Sequence, residues 1–264
     1  MRVYPFLQAV RDRRPLVHHI TNWVTIFDCA QVVKSFGASP VMAHAPEEVA
    51  AMTGIASALV LNIGTLTTPV VEAMKQAAVA ANQKGIPVVF DVCGAGATAF
   101  RDEKSLEILN AARIAVIKGN ASEIARVAGL AVATKGVDAG AVAADLAEVA
   151  AGLAARRACT VVITGPENIV AGDGRLLRVK NGHPMMANLV GTGCMATSVI
   201  GTFAGATPER VPEAAAAGLA CFEIAAEQAA RKTKGPAAFK QELFDCIFAL
   251  DEKLVESMQK VTPA

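Results

Sequence analysis

The amino-acid sequence predicts an α/β fold built on a mostly parallel central sheet. Two observations carry this. Short apolar runs rich in Val and Ile recur along the chain, each bounded by Gly, Pro or a polar tip. Between them lie segments with helical periodicity, the alternation that builds parallel strands and crossover helices. The 264 residues show no repeat, low-complexity linker or charge run, so one domain over residues 1–264 is expected, large enough to bury a substantial core.

The elements follow in order. Residues Pro5 to Arg14 read as an amphipathic helix that stops before Pro15. Leu16 to Ile20 is a β-prone run, and Thr21-Asn22 is expected to cap a helix from Trp23 to Phe36, closed by Gly37. Ser39 to Ala43 reads as a strand and Ala45-Pro46 as the next helix start. Ser57 to Gly64 is a buried-strand run, followed by a helix from Thr67 or Thr68 to about Gln83. Gly85 to Asp91 and Ile114 to Asn120 repeat the form, with helices to about Ala112 and from Ser122. Val137-Asp138 precedes an Ala-rich helix to about Arg156, and Thr160 to Gly165 is the sixth strand. Asp173-Gly174 between two short apolar runs reads as a hairpin. Three helices, about Gly193 to Ala204, Val211 to Arg231 and Pro236 to Gln259, complete the chain.

Composition excludes several functions. A net charge of +1, from 25 basic and 24 acidic residues, gives no basis for binding nucleic acid or an anionic membrane. No apolar stretch of spanning length occurs, and the N-terminal residues lack the layout of a signal peptide, so a cytoplasmic protein is expected. Six scattered cysteines form no Cys-x-x-Cys pair, which points to neither a zinc site nor a disulfide framework. Aromatic residues are too few for base stacking to dominate recognition.

In an open parallel sheet, ligands bind beyond the carboxyl ends of the strands. Five such places stand out: Asn62-Ile63-Gly64, Asp91 with Gly94-Ala95-Gly96, Lys118 to Glu123, Thr164-Gly165, and Gly191-Thr192-Gly193-Cys194. The last is expected as a strand-to-helix turn whose N–H groups and helix dipole converge on one point, a place to hold an anion. Together the five carry carboxylates, an amine, a hydroxyl and glycine-rich turns, a set that suits a nucleoside triphosphate with magnesium.

Leu16-Val17-His18-His19-Ile20-Thr21-Asn22-Trp23-Val24-Thr25, Gly37 to Met42, Asn62 to Leu66, Lys118 to Ile124, Lys135-Gly136-Val137-Asp138 and Gly191 to Cys194 occur in one order over nearly the whole chain. In these blocks the sequence resembles the hydroxyethylthiazole kinases. The resemblance implies a ribokinase-like three-layer α/β/α domain. It also implies ATP-dependent phosphorylation of 4-methyl-5-(2-hydroxyethyl)thiazole in thiamine salvage, and a homotrimer with active sites between subunits.

Residue by residue, Gly191, Thr192, Gly193 and Cys194 resemble the catalytic anion hole. In the wider fold an acid stands where Cys194 does, so Cys194 is expected to position the substrate hydroxyl more than to deprotonate it. Asp91 and Glu123 are the magnesium candidates, with helix capping as the alternative for Glu123. Lys118, where the family commonly carries arginine, and Thr164 are carried over to ATP, and Asn22, Met42, Gly64 and Gly191 to the thiazole. His18 and His19 read as strand residues, while His44 and His183 carry no assignment. One departure stands out: the family's Asp-Pro-Val-Gly is Asp91-Val92-Cys93-Gly94 here, with slower turnover or altered substrate range expected. Three other readings remain open at this point: a related kinase for another heteroaromatic alcohol such as hydroxymethylpyrimidine, a thiol-dependent Cys194 hydrolase or transferase, and a weakly catalytic binding regulator.

Overall fold

A computed structural model describes residues 1–130 and 145–263. The expected elements at 135–138 and the start of the helix after them lie outside the described residues. In chain order the elements are α1 (Tyr4–Arg13), β1 (Leu16–Ile20), α2 (Ile26–Ser35), β2 (Ser39–Val41), α3 (Val49–Ile55), β3 (Ala58–Asn62) and α4 (Thr68–Lys84). They continue with β4 (Val88–Asp91), α5 (Ala99–Ala111), β5 (Val116–Asn120), α6 (Ala121–Val127), α7 (Leu146–Arg157), β6 (Thr160–Thr164), β7 (Asn168–Gly172) and β8 (Arg175–Val179). A short 3-10 helix, Pro184–Asn188, leads to α8 (Thr192–Ala206), α9 (Val211–Lys232), α10 (Pro236–Phe248), α11 (Glu252–Met258) and β9 (Val261–Pro263).

The strands form one nine-stranded sheet in the order β2-β1-β3-β4-β5-β6-β7-β8-β9. Pairing is parallel from β2 to β6 and antiparallel from β6 to β9. Because side chains alternate along a strand, successive residues feed opposite faces. Val60 joins the core under α1, α2, α8, α9 and α10, while Leu59 and Leu61 join the core under α4 to α7. The result is the expected three-layer α/β/α sandwich. The chain leaves β1 outward to β2 and returns to β3 on the other side of β1, so the strand order reverses between β1 and β3. Such a switch point opens a crevice at the carboxyl edge.

Caps explain many boundaries. Thr67 and Thr98 accept the N–H groups of Val70 and Arg101, and Asp173-Gly174 turns the β7–β8 hairpin with both residues at positive φ. Other boundaries differ from expectation. α2 begins at Ile26, not Trp23, because the Asn22 carboxamide accepts both the Thr25 N–H (3.1 Å) and its hydroxyl (3.0 Å), fixing a turn before the helix. α3 begins at Val49, after a turn over 46–48. The final helix is two, since Asp251 starts a new one by accepting from Leu254 N (2.7 Å). The Gly191 turn follows a 3-10 helix and irregular backbone, not a strand. β9, not expected at all, closes the sheet edge against β8.

Candidate active site

The switch point brings the carboxyl ends of β1 and β3 together under the start of α8. Asn22, just past β1, donates to Asn62 Oδ1 at the end of β3 (3.0 Å), and the same oxygen accepts the Gly64 N–H (2.8 Å). A Cβ on Gly64 would stand 3.0 Å from Asn62 Oδ1 and 3.1 Å from Asn22 Nδ2, so the pair leaves no room for a side chain there. Gly191 is the N-cap of α8 at φ +94°, and a Cβ on it would strike Thr25 Cγ2 at 2.7 Å. No side chain caps α8, so its first N–H groups, at Thr192, Gly193 and Cys194, face the crevice with the positive end of the helix dipole.

Register places the charged residues beside this turn: Asn62 pairs with Asp91 and Asp91 with Lys118 across three adjacent strands. Asp91 Oδ2 accepts from Thr197 Oγ1 (2.6 Å), Asn62 Nδ2 (2.9 Å) and Lys118 Nζ (3.1 Å), whereas its buried Oδ1 has no hydrogen-bond partner among the described residues. Burial works against the Lys118 charge, but the Asp91 and Glu123 carboxylates outweigh it and hold its pKa above the ordinary lysine value. The ammonium lies directly behind the turn, 3.3 Å from where a Cβ of Gly193 would be.

Glu123 forms a capping box with Asn120 at the start of α6. Its Oε2 accepts the Asn120 N–H (2.7 Å) and its Oε1 the Gly94 N–H (2.7 Å). Burial first, and then the Asp91 charge, push its pKa up to about 6. Among the described residues no group of three or more His, Cys, Asp or Glu side chains could hold a metal by itself. The free Oδ1 of Asp91 is a hard oxygen donor of the kind magnesium takes. Both Glu123 oxygens are already bonded to backbone, which suits contact through water, with phosphates and solvent supplying the remaining ligands.

Cys194 Sγ accepts from Asn22 Nδ2 (3.2 Å) and Asn62 Nδ2 (3.4 Å). A hydrogen bond from the Cys93 thiol is the main cause that lowers the Cys194 pKa to about 6; burial and Asp91 oppose it, and Lys118 and Thr25 assist. The Cys93 thiol is correspondingly raised. This chain's departure from the family pattern thus has two effects: the Cys93 thiol lowers the Cys194 pKa, and the Val92 N–H, which a proline would lack, donates to Lys118 O (2.9 Å). Arg101 locks the same tips, donating to Ile63 O, Gly64 O and Cys93 O at 2.8 to 3.0 Å.

His18 and His19 are strand residues, as expected, and both are buried with lowered pKa values. The ring nitrogens of His18 engage Thr53 Oγ1 (2.9 Å) and Ala43 O (2.7 Å), and His19 Nδ1 bonds Val17 O (3.0 Å). Neither is bonded to Cys194, which a thiol hydrolase would need.

A cavity of about 600 Å³ opens beside the turn. Thr192 and Gly193 line one part, Thr164 and Asn168 another, Met186 and its neighbours in the 3-10 helix a third, and Leu219, Phe222 and Glu223 of α9 a fourth. Met42 stands at the carboxyl end of β2, the outer strand, three positions from β4. Sequence reasoning marked Asn62 only as part of a strand tip and missed Thr197 and Glu223. Thr197, three residues after Cys194, was open to recognition as lying on the same helical face.

The comparisons with known proteins agree with this geometry. The model of the hydroxyethylthiazole kinase family matches residues 7–253. A hydroxyethylthiazole kinase of Methanosarcina mazei is 51% identical over 97% of this chain and 97% of its own. One from Rubrobacter xylanophilus is 47% identical over 95% and 93%. The solved hydroxyethylthiazole kinase protein from Pyrococcus horikoshii superposes with a TM-score of 0.90 at 36% identity, covering 99% of this chain and 98% of that one. A ribokinase-like superfamily protein from Enterococcus faecalis, at 15% identity and a TM-score of 0.63, shares the fold over 88% of this chain and 86% of its own. With its architecture, its strand-tip constellation and its sequence in agreement, the chain belongs to the hydroxyethylthiazole kinase family.

Proposed function

We propose that the protein transfers the γ-phosphoryl group of ATP to the primary hydroxyl of 4-methyl-5-(2-hydroxyethyl)thiazole, the salvage step toward thiamine. The observation that carries this reading is the convergence of the uncapped α8 N-terminus, the Asp91–Lys118 pair and Cys194 at one switch point beside a nucleotide-sized cavity. In this reading the N–H groups at Thr192, Gly193 and Cys194 receive phosphate oxygens, and Lys118 behind them balances the charge that builds in the transition state.

Asp91 Oδ1, and Glu123 through water, would hold magnesium, which neutralises phosphate charge when bound. Thr164 lies on the nucleotide side, and Asn22, Met42, Gly64 and Gly191 on the thiazole side. Cys194, held by two carboxamide donors, orients the hydroxyl for in-line attack. Phosphoryl transfer through a loose transition state needs little base strength at the acceptor, so positioning is the main task of the thiol.

A homotrimer with shared sites fits the exposed Trp23 (72%) and Phe27 (73%), which follow Asn22 in the chain. The single sheet with its two cores supports reading all 264 residues as one domain. No described helix is long and apolar enough to cross a membrane. Offering the protein ATP, magnesium and a panel of alcohols tests the activity: the thiazole alcohol should be phosphorylated fastest. A faster hydroxymethylpyrimidine, or no phosphorylated product by mass spectrometry, would overturn it.

A further inference from the structure

Glu223 is the one charged residue in the Ala-rich stretch of α9 that lines the cavity, and it is 6% exposed. Its Oε1 accepts from Asn168 Nδ2 at 2.6 Å, while its Oε2 is buried with no hydrogen-bond partner among the described residues. A buried carboxyl oxygen without a partner costs free energy, and one beside a ligand-sized cavity can find its partner there. The same cavity reaches Thr192 and Gly193 at the anion-binding turn, and Leu219, Phe222 and Met186 give it apolar walls. Phosphates at the turn would therefore leave the base of the nucleotide between apolar walls, with Asn168 and Glu223 at its edge.

We infer that Glu223, held by Asn168, reads the N7 side of the base of the phosphoryl donor and selects the N7/N6 edge of adenine over the N7/O6 edge of guanine. This inference rests on the kinase reading above. Burial pushes the Glu223 pKa up to about 8, with the Asn168 bond opposing and Glu227 adding to the shift, so the side chain carries its proton near neutrality. Glu227 itself is engaged by Asn181 Nδ2 (3.0 Å), Gly182 N (3.0 Å) and Lys260 Nζ (3.4 Å). A neutral carboxylic acid offers one donor and one acceptor. On its N7 side adenine presents that same alternation, N7 beside the N6 amino group, whereas on the same side guanine presents N7 and O6, acceptors alone.

The test compares kcat/KM for ATP and GTP in wild type, Glu223→Gln and Glu223→Met. The expected result is an ATP preference of about tenfold or more, set by a hydrogen bond made or left unmade in a buried site. Glutamine, which also pairs one donor with one acceptor, should keep that ratio. Methionine should raise the KM for ATP about tenfold with kcat little changed and bring the ratio near one. The triphosphate of purine riboside, which lacks the 6-amino group, applies the same test to the unmodified protein and should lose about tenfold against ATP. An unchanged ratio in Glu223→Met, or equal use of ATP and the purine analogue by wild type, overturns the inference while leaving the kinase reading intact. If wild type phosphorylates no alcohol with any nucleotide, the kinase reading falls, and calorimetric affinities for the three triphosphates decide the inference by the same ratios.

Discussion

Thr197 Oγ1 donates to Asp91 Oδ2 at 2.6 Å, joining residues 106 apart in sequence and tying the first turns of α8 to the tip of β4. The α8 turn and the candidate metal carboxylate are therefore held together directly. Thr197→Val keeps the shape and removes the donor. It should cost about 1–2 kcal/mol in denaturant unfolding and lower kcat more than it raises KM, while Thr197→Ser restores both.

The Asp91–Lys118 pair is buried on both sides. Asp91→Asn leaves the ammonium without its carboxylate and should cost about 3 kcal/mol, because an unpaired buried charge is worse than none. Adding Lys118→Met should recover most of that stability without recovering activity. Urea titrations of the single and double variants, run beside the kinase assay, separate the two effects.

Cys194 should alkylate with an apparent pKa near 6, since the thiolate is the reactive form. Cys29, Cys159, Cys221 and Cys246 are buried and should lag. Cys93→Val removes the hydrogen bond that lowers the Cys194 pKa and should move the midpoint upward. Iodoacetamide rates followed by peptide mass spectrometry between pH 5 and pH 9 give the comparison.

Glu223 makes stability depend on pH. Its carboxyl titrates near the ordinary 4.5 when unfolded and near 8 when folded. The folded state thus binds the extra proton between those values, and its contribution is full below about 4.5 and lost as pH rises through about 8. The melting temperature should fall across that window, and Glu223→Gln should flatten the fall.

If Trp23 and Phe27 face neighbouring subunits, light scattering should give three times the 27.2 kDa chain mass. Trp23→Glu with Phe27→Glu should reduce it to one, because two buried charges at an interface have no partners.

How much of this was legible in the sequence depends on range. Strands such as Ala58–Asn62 and Thr160–Thr164 were readable because short apolar runs end at glycine or polar tips, and Thr67 and Thr98 announced their helices. The helix break at Asp251 had a local signal, an Asp followed by Glu, hidden by continuous helical periodicity. Asn22 misled because its side chain builds a turn before the helix it seemed to cap. β9 is three residues long and exists only through pairing with β8, which no local pattern reveals.

Within the site, Asp91, Lys118 and the Gly191 turn were visible as strand tips or glycine spacing. The bonds that assemble them, Thr197 to Asp91 and Asn62 to Cys194, cross between distant segments. Glu223 was invisible for a different reason. An acid in an alanine-rich helix reads as solvent-facing, and only packing against β7 buries it beside Asn168.

The α8 turn and the Asp91–Lys118 pair are proposed to form a phosphoryl-transfer site for the thiazole alcohol. The most direct measurement follows transfer of labelled γ-phosphate from ATP to that alcohol by wild type, Gly191→Ala and Asp91→Asn, each checked for folding. Labelled thiazole phosphate is expected from wild type, with a loss of about a hundredfold or more in each variant. Wild-type rates in folded Gly191→Ala and Asp91→Asn, or no labelled product from wild type, would contradict it.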